Sequence, residues 1–291
     1  MELNALKAFV EVAKESSFSK ASEKLFLTQP AISKRIASLE DELDTKLFDR
    51  LGKKVFLTET GNKLLPKAID ILNQANDITR LASNLEHEVK GKLTIGTSHH
   101  IGLHRLPPVL KAFIKEHPEV QLDIKFMDSE EACHGVEMGD LEMAVVTLPQ
   151  LQSSKLSTQL IWPDPLSVLV NTEHPLTELK KVSMQQLAKF PAIIPGKGTY
   201  TREILDNAFN EYSIDLNIAM ATNYLETIKM LTIIGIGWTL LPESMQNKEL
   251  KKIHVTGLKL HRSLGIVTHK ARTLSNPAMR MIDTCLKHAQ K

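Results

Sequence analysis

Cysteine is nearly absent from this chain: Cys133 and Cys285 are the only two in 291 residues, and they lie far apart. Such sparse usage argues against a disulfide scaffold and fits a reducing cytosol. Long apolar runs are missing as well. No stretch reaches the ~18 residues that a membrane span needs. Met1-Glu2-Leu3-Asn4 also lacks the basic start and apolar stretch of a secretory leader. The expectation is therefore a cytoplasmic protein with no membrane partner. Nor is there an excess of one charge, since the formal net charge is only +2, and composition alone gives no hint of a polyanionic partner. No Ser-His-Asp arrangement, phosphate-cradling glycine loop or carboxylate pair at catalytic spacing stands out, so an enzyme is not expected. What remains is an ordinary globular composition, 42% apolar and 24% charged, with length for about one to three domains.

The N-terminal segment carries the most organised pattern. Leu3, Leu6, Phe9, Val10 and Ala13 recur at helical spacing, with Lys7, Glu11 and Lys14 on the other face. Ser16-Ser17 stops this helix, and Ser19 is the expected cap of a short second one containing Ala21 and Leu25. Thr28 then supplies a capping oxygen for a third helix, and Pro30 falls in its first turn, where a missing N–H costs little. Ile32, Ile36, Leu39 and Leu43 form the buried stripe of that helix. Its opposite side begins with Gln29, Ser33, Lys34 and Arg35, polar groups able to meet base edges beside cations able to meet phosphates. A short helix, a tight turn and a second helix with a polar exposed start suits a major groove. Beyond Leu43, two short extended pieces flank Gly52 and place Arg50, Lys53 and Lys54 near the tip, as in a wing that meets backbone or minor groove. On pattern alone a small three-helix core with a solvated charged loop fits equally well, because the local net charge is near zero.

Several motifs in order break that tie. Leu6-Lys7-Ala8-Phe9-Val10, Ser17-Phe18-Ser19-Lys20-Ala21-Ser22 and Leu27-Thr28-Gln29-Pro30-Ala31-Ile32-Ser33 come first. Leu39-Glu40-Asp41-Glu42-Leu43, Lys46-Leu47-Phe48-Asp49-Arg50 and Leu57-Thr58-Glu59-Thr60-Gly61 follow. With these the chain resembles the LysR-type transcriptional regulators along its whole length. The resemblance implies base-edge contacts from Gln29, Pro30 and Ser33, phosphate contacts from Thr28, Lys34 and Arg35, and a minor-groove role for the wing. Ser19 joins the DNA-contacting candidates. The implied partner is double-stranded promoter DNA, with room for a contact to RNA polymerase.

Leu64, Ala68, Ile71, Ala75, Ile78, Ala82, Leu85 and Val89 alternate by four and three, a heptad seam passing only Pro66 near its start. Such a stripe packs either on its own body or on a twin. The resemblance implies the second: a linker helix over 59–90 forming a homodimer, commonly assembled into a homotetramer.

The remaining two-thirds alternates strands and helices. Lys92–Thr97, a helix through Leu106, Val109, Leu110, Phe113 and Ile114, then Val120–Phe126 and Glu142–Val146 make a βαβαβ unit that implies a parallel sheet. A second set starts near Leu166, with Ala192–Ile194, a helix from Thr201 to Phe209, and a Gly235/Gly237 turn into Trp238–Pro242. The strand Leu264–Thr268 and the helix Pro277–His288 close the chain. The fold class expected is thus multidomain α plus α/β: a winged helix-turn-helix (1–58), a linker helix (59–90) and a two-lobed effector domain (91–291). The resemblance implies lobes like those of a periplasmic binding protein, 91–161 plus 265–291 and 162–264.

In open α/β sheets ligands sit off the C-terminal strand ends, where helix starts offer N–H groups to anions. Three loops qualify: Thr97-Ser98-His99-His100, the residue Thr147, and Gly196–Thr201. The resemblance places effector contacts on these loops, with Thr97, Ser98, His99, Ser129, Thr147, Thr199 and Thr201 as the candidates. Read blandly, these hydroxyls are only helix caps. A small co-inducer is expected but no metal or other cofactor. His99, His100 and His104 have no carboxylate or cysteine nearby in sequence to complete a zinc set. Cys133 is expected to be a buried structural cysteine, because the second lobe lacks the cysteine pair of oxidant-sensing relatives. Met220, Met230 and Met245 are expected to fill core. The resulting expectation is a regulator that answers a small, anionic metabolite, set against an effector-independent architectural DNA-binding protein.

Overall fold

A computed structural model describes residues 1–51, 54–151 and 153–289, with backbone alone at Arg50, Leu51 and Lys54. The chain divides into two compact units, Met1–Glu86 and His87–Lys291. In the first, α1 (Leu3–Glu15), α2 (Phe18–Lys24) and α3 (Gln29–Leu43) pack on one another. An antiparallel pair, β1 (Phe48–Leu51) and β2 (Lys54–Leu57), leads into α4 (Glu59–Asn84). Leu6, Phe9, Ile32, Ile36 and Leu39 are buried as their spacing requires, each contributing roughly 1.5–3 kcal/mol. Phe48 closes this core, its ring edge-on to Phe9 at 5.5 Å and to Phe18 at 5.8 Å. Leu3 and Leu43 are exposed instead of buried; each sits at a helix end, past the neighbouring helices. The cap of α2 is also not Ser19 but Ser17, whose hydroxyl accepts from the Lys20 N–H at 3.3 Å, because the helix starts two residues earlier than its sequence suggests.

The long helix α4 is shorter than its heptad pattern. It stops at Asn84, not at Gly91, and His87 just beyond has a left-handed φ of 56° that a helix cannot accommodate. Leu85 and Val89 therefore lie outside it. Ala68 is buried, while Ile78, Leu81 and Leu85 are 70%, 54% and 80% exposed. The proximal part of the stripe packs on α1, and the distal part is uncovered within this unit.

The second unit contains β3 (Gly91–Thr97), α5 (His99–His104), α6 (Leu106–Glu116), β4 (Val120–Phe126), α7 (Ser129–Met138), β5 (Met143–Thr147) and β6 (Leu156–Asn171). It continues through α8 (Met184–Ala188), β7 (Ala192–Ile194), α9 (Tyr200–Asn210), β8 (Ile218–Ala221), α10 (Leu225–Ile233), β9 (Thr239–Pro242), β10 (Leu250–Ile253), β11 (Leu260–His269) and α11 (Asn276–Ala289). Strands run in the order β10-β6-β11-β5-β3-β4, with β9 on β6. Within this sheet β4, β3 and β5 pair in parallel, while β6 and β11 run antiparallel to each other and β11 runs antiparallel to β5; β7 and β8 form a separate parallel pair. The parallel sheet expected from the βαβαβ unit is thus confined to β4, β3 and β5. The returning strand enters without a crossover helix and so lies antiparallel.

Two apolar clusters flank the first lobe's strands, one with Leu93, Val109, Phe113, Val145 and Met281, the other with Ala132, Val136, Ala144 and Val146. Successive residues Val145 and Val146 thus face opposite sides, as strand geometry demands. Two further clusters, around Trp238 with Phe209 and around Leu169 with Ile228, build the second lobe. Strands β6 and β11 serve both lobes. Gly265 lies at the register shift between them, where an added Cβ would come within 2.1 Å of the Gln159 carbonyl oxygen. Of the three methionines expected in core only Met245 is buried; Met220 and Met230 are 42% and 57% exposed.

Candidate functional site

The N-terminal unit presents one polar surface at the start of α3. Thr28 caps the helix, its Oγ1 accepting from the Ala31 N–H at 3.4 Å, and Pro30 sits in the first turn as the sequence indicates. Thr28, Gln29, Pro30 and Lys34 are exposed, and Ser33 and Arg35 are half-buried. Ser19 is exposed on α2 and donates to Gln29 Oε1 at 3.0 Å. This bond fixes the glutamine amide across the turn and leaves its NH2 end directed elsewhere, the donor that suits an adenine or guanine acceptor. Of the wing candidates, Arg50 and Lys54 have their backbones in β1 and β2, while Lys53 and the turn at Gly52 lie outside the described residues.

The strand pair is held in place by buried polar groups. Glu40 of α3, 8% exposed, accepts from the Leu47 N–H at 2.8 Å, the Phe48 N–H at 3.3 Å and Lys46 Nζ at 2.8 Å. Burial pushes its carboxyl up, but these three bonds outweigh it and hold the group below the ordinary glutamate value. Thr58 caps α4 by accepting from the Gly61 N–H at 2.9 Å while its hydroxyl donates to the Lys46 carbonyl at 2.7 Å. At Gly61 a Cβ would stand 2.3 Å from the Leu47 carbonyl oxygen, so only glycine lets α4 lie this close. The run Leu57-Thr58-Glu59-Thr60-Gly61 is in physical terms the joint that fixes the strands against the helix.

In the second unit the ends of β3, β5 and β7 converge on a cleft between the two lobes. It is lined by residues from Ser98 to His100, from Asp128 to Glu130, and by Thr147, Thr199, Thr201 and Arg262 among others, and its cavity measures about 50 Å³. Six of the seven residues expected at the effector site meet here: Ser98, His99, Ser129, Thr147, Thr199 and Thr201. Thr97 does not. It is fully buried behind the cleft, and its hydroxyl donates to the Val145 carbonyl at 2.8 Å.

The hydroxyls differ in availability. Thr199 is fully used as a cap, accepting from the Arg202 N–H at 3.3 Å and donating to the Gly196 carbonyl at 2.9 Å. Ser129 accepts from the Thr147 N–H at 3.2 Å, and Thr201 accepts from Arg262 Nη1 at 3.4 Å. Ser98 stands at the cap position of α5 without making a capping bond. His99 lies between Phe126, tilted against it with ring centroids at 5.3 Å, and Tyr224, edge-on at 4.9 Å.

Arg262 is the central group that the sequence did not disclose. It is 5% exposed, its Nε donates to Asp164 Oδ2 at 2.7 Å, and its Nη2 has no hydrogen-bond partner among the described residues. Burial presses its pKa down and the Asp164 carboxylate opposes that. A guanidinium N–H left unpaired in a buried cleft seeks an acceptor, and an ionised one most strongly. Its neighbour His100, 4% exposed, is also unpartnered at both ring nitrogens. Burial first, then the Arg262 charge, pushes this imidazole down to about 4, so it is neutral near pH 7. Bonds cross the cleft: Asn223 Nδ2 donates to Asp128 Oδ2 at 2.5 Å, and the Tyr200 N–H donates to the Glu130 carboxylate. Cys133 is buried nearby, its thiol pushed by burial up to about 11, which keeps it an unreactive thiol.

Comparison with known proteins covers both units. A family model described as a bacterial regulatory helix-turn-helix protein of the lysR family matches residues 3–62, and one described as a LysR substrate binding domain matches residues 86–290. An uncharacterised HTH-type transcriptional regulator of Azotobacter vinelandii is 58% identical over 108 residues, covering 37% of this chain and 75% of its own length. A probable RuBisCO transcriptional regulator of Guillardia theta is 29% identical over 93% of this chain and 90% of its own. Among solved structures, full-length OxyR of Pseudomonas aeruginosa superposes with a TM-score of 0.72 at 24% identity, covering 100% of this chain and 95% of that one.

Proposed function

The chain belongs to the LysR family of bacterial transcriptional regulators, and from that footing we propose that its effector is a small anion seated against Arg262 between the two lobes. Family membership itself supplies the coarser statement of an N-terminal helix-turn-helix that binds promoter DNA and a C-terminal domain that binds an effector. The observation carrying the finer reading is the unpartnered Nη2 of Arg262 in a cleft that Ser98, Ser129 and Thr201 also line, each at the start of a different helix. One ionised acceptor there satisfies a buried donor that otherwise costs free energy. The cavity of about 50 Å³ has room for a few water molecules, and the Asn223–Asp128 and Tyr200–Glu130 bonds tie its two sides together. A metabolite larger than that room parts the lobes and breaks these bonds, which couples occupancy to lobe geometry. The chain acts as a homodimer through α4 and assembles further into a tetramer. The exposed Ile78, Leu81 and Leu85 support this reading.

The test is a thermal-unfolding screen of small carboxylates and phosphates against the full chain. A true effector at a hundredfold excess over its Kd contributes ~2.7 kcal/mol, a rise of about 5–10 °C for a unit of this size. Arg262→Gln and Thr201→Val should each diminish that rise. If no small anion shifts the transition, or the shift survives unchanged in both variants, the reading is wrong.

A further inference from the structure

Glu226 changes the meaning of two histidines. His100 and His104 stand four residues apart on α5, so one face of the helix carries both. Their ring centroids are 4.7 Å apart. Sequence offers them no acidic neighbour, but the fold brings Glu226 from the first turn of α10, 122 residues beyond His104. Its Oε1 lies 2.8 Å from His104 Nε2 and 3.6 Å from His100 Nδ1. The three donor atoms fall within 4.8 Å of one another, the one such cluster of three among the described residues. Donors about a tetrahedral ion at ~2.1 Å stand roughly 3.3 Å apart, so modest side-chain rotation closes the set.

We propose that His100, His104 and Glu226 form a binding site for a divalent transition ion of the zinc type, with ligands drawn from both lobes. Two imidazoles and a carboxylate are the donors such an ion prefers, and three protein ligands leave a coordination position open. His100 supplies the independent observation. It is 4% exposed, and neither ring nitrogen has a hydrogen-bond partner among the described residues. Buried polar atoms without partners are uncommon and expensive, and a metal lone-pair contact removes the cost at Nδ1. Arg262 beside His100 opposes a cation; Asp164, which pairs with Arg262, and Glu226 supply the negative charge that counters it.

The placement gives the ion a job. Helix α5 follows β3 in the first lobe, and α10 packs on β6, β7 and β9 in the second. An ion held here staples the lobes at the edge of the cleft, which His100 also lines. Its effect is to favour the closed arrangement, whatever occupies the cleft itself.

The experiment uses the full chain, stripped with a chelator and titrated with Zn²⁺ by calorimetry and with Co²⁺ by visible absorption. The expected result is one ion per chain, a Co²⁺ spectrum of low-coordinate type, and a raised unfolding temperature with Zn²⁺. His104→Ala and Glu226→Gln, both at partly exposed positions, should weaken binding at least about tenfold and abolish the temperature rise. His100→Ala should do the same, its metal-free unfolding curve showing whether it folds. His117→Ala, outside the cluster, should bind as the parent does. Absence of stoichiometric binding, or binding unchanged in the His104→Ala/Glu226→Gln double variant, overturns the proposal. Neither result depends on finding the anionic effector.

Discussion

Gln29 and Ser33 lie one turn apart at the polar start of α3, while Lys34 and Arg35 extend the same exposed end. Their chemistry separates what each contributes on DNA. Gln29 is oriented by Ser19, so its amide is the group prepared for directional readout. Replacing Gln29 by Ala should cost about 1–3 kcal/mol on the preferred site and much less on scrambled DNA. Lys34→Ala and Arg35→Ala should weaken both equally and lower the slope of log K against log salt by about one each. Fluorescence anisotropy on the two duplexes across a salt series separates these outcomes; equal losses for Gln29→Ala on both would remove it from the base-reading set. Residues of this kind were legible because cap, proline and polar face sit within a few positions of each other. Arg262 was not. Its meaning depends on Asp164, Thr201 and the cleft, partners 98 and 61 residues away, and no local pattern signals such a meeting.

At the scale of elements, α4 shows where periodicity informs and where it overreaches. The alternation of fours and threes gave the helix and its apolar side. It did not give the end, because His87 adopts a left-handed backbone that a periodic pattern cannot reveal. The uncovered distal Ile78 and Leu81, continued by Leu85 just past the helix end, are the basis for a twin. A fragment spanning residues 1–90 should therefore sediment as a dimer at high micromolar concentration, and a monomer there would contradict that role. Strand β6 begins ten residues before the expected start near Leu166: it runs unbroken from Leu156 to Asn171, with Pro163 opposite Ser263 and Pro165 opposite His261. Prolines in a strand usually mark its edge or an irregularity, and here they fall beside the register shift at Leu264 and Gly265. Helix α5 carries His100 and His104 on one face, but the Glu226 that meets them lies 122 residues beyond His104, out of reach of any local pattern.

For the whole molecule, two compact units joined beyond α4 match the two roles of a LysR regulator, reading DNA and sensing an effector. Composition gave neither role: a net charge of +2 conceals a reading head whose polar and basic groups are concentrated by placement at one helix start. The sensing half carries a cleft between its lobes, and in the proposed reading a metabolite larger than its cavity of about 50 Å³ parts the lobes on entry. The account joins the two halves, and footprinting on the DNA upstream of the protein's own gene, with and without the anion that raises its unfolding temperature, tests that union most directly. The prediction is protection at moderate salt whose extent or spacing changes when the anion is added, with the change lost in Thr201→Val. Protection that is identical with and without the anion, or no protection of any upstream DNA, would contradict it.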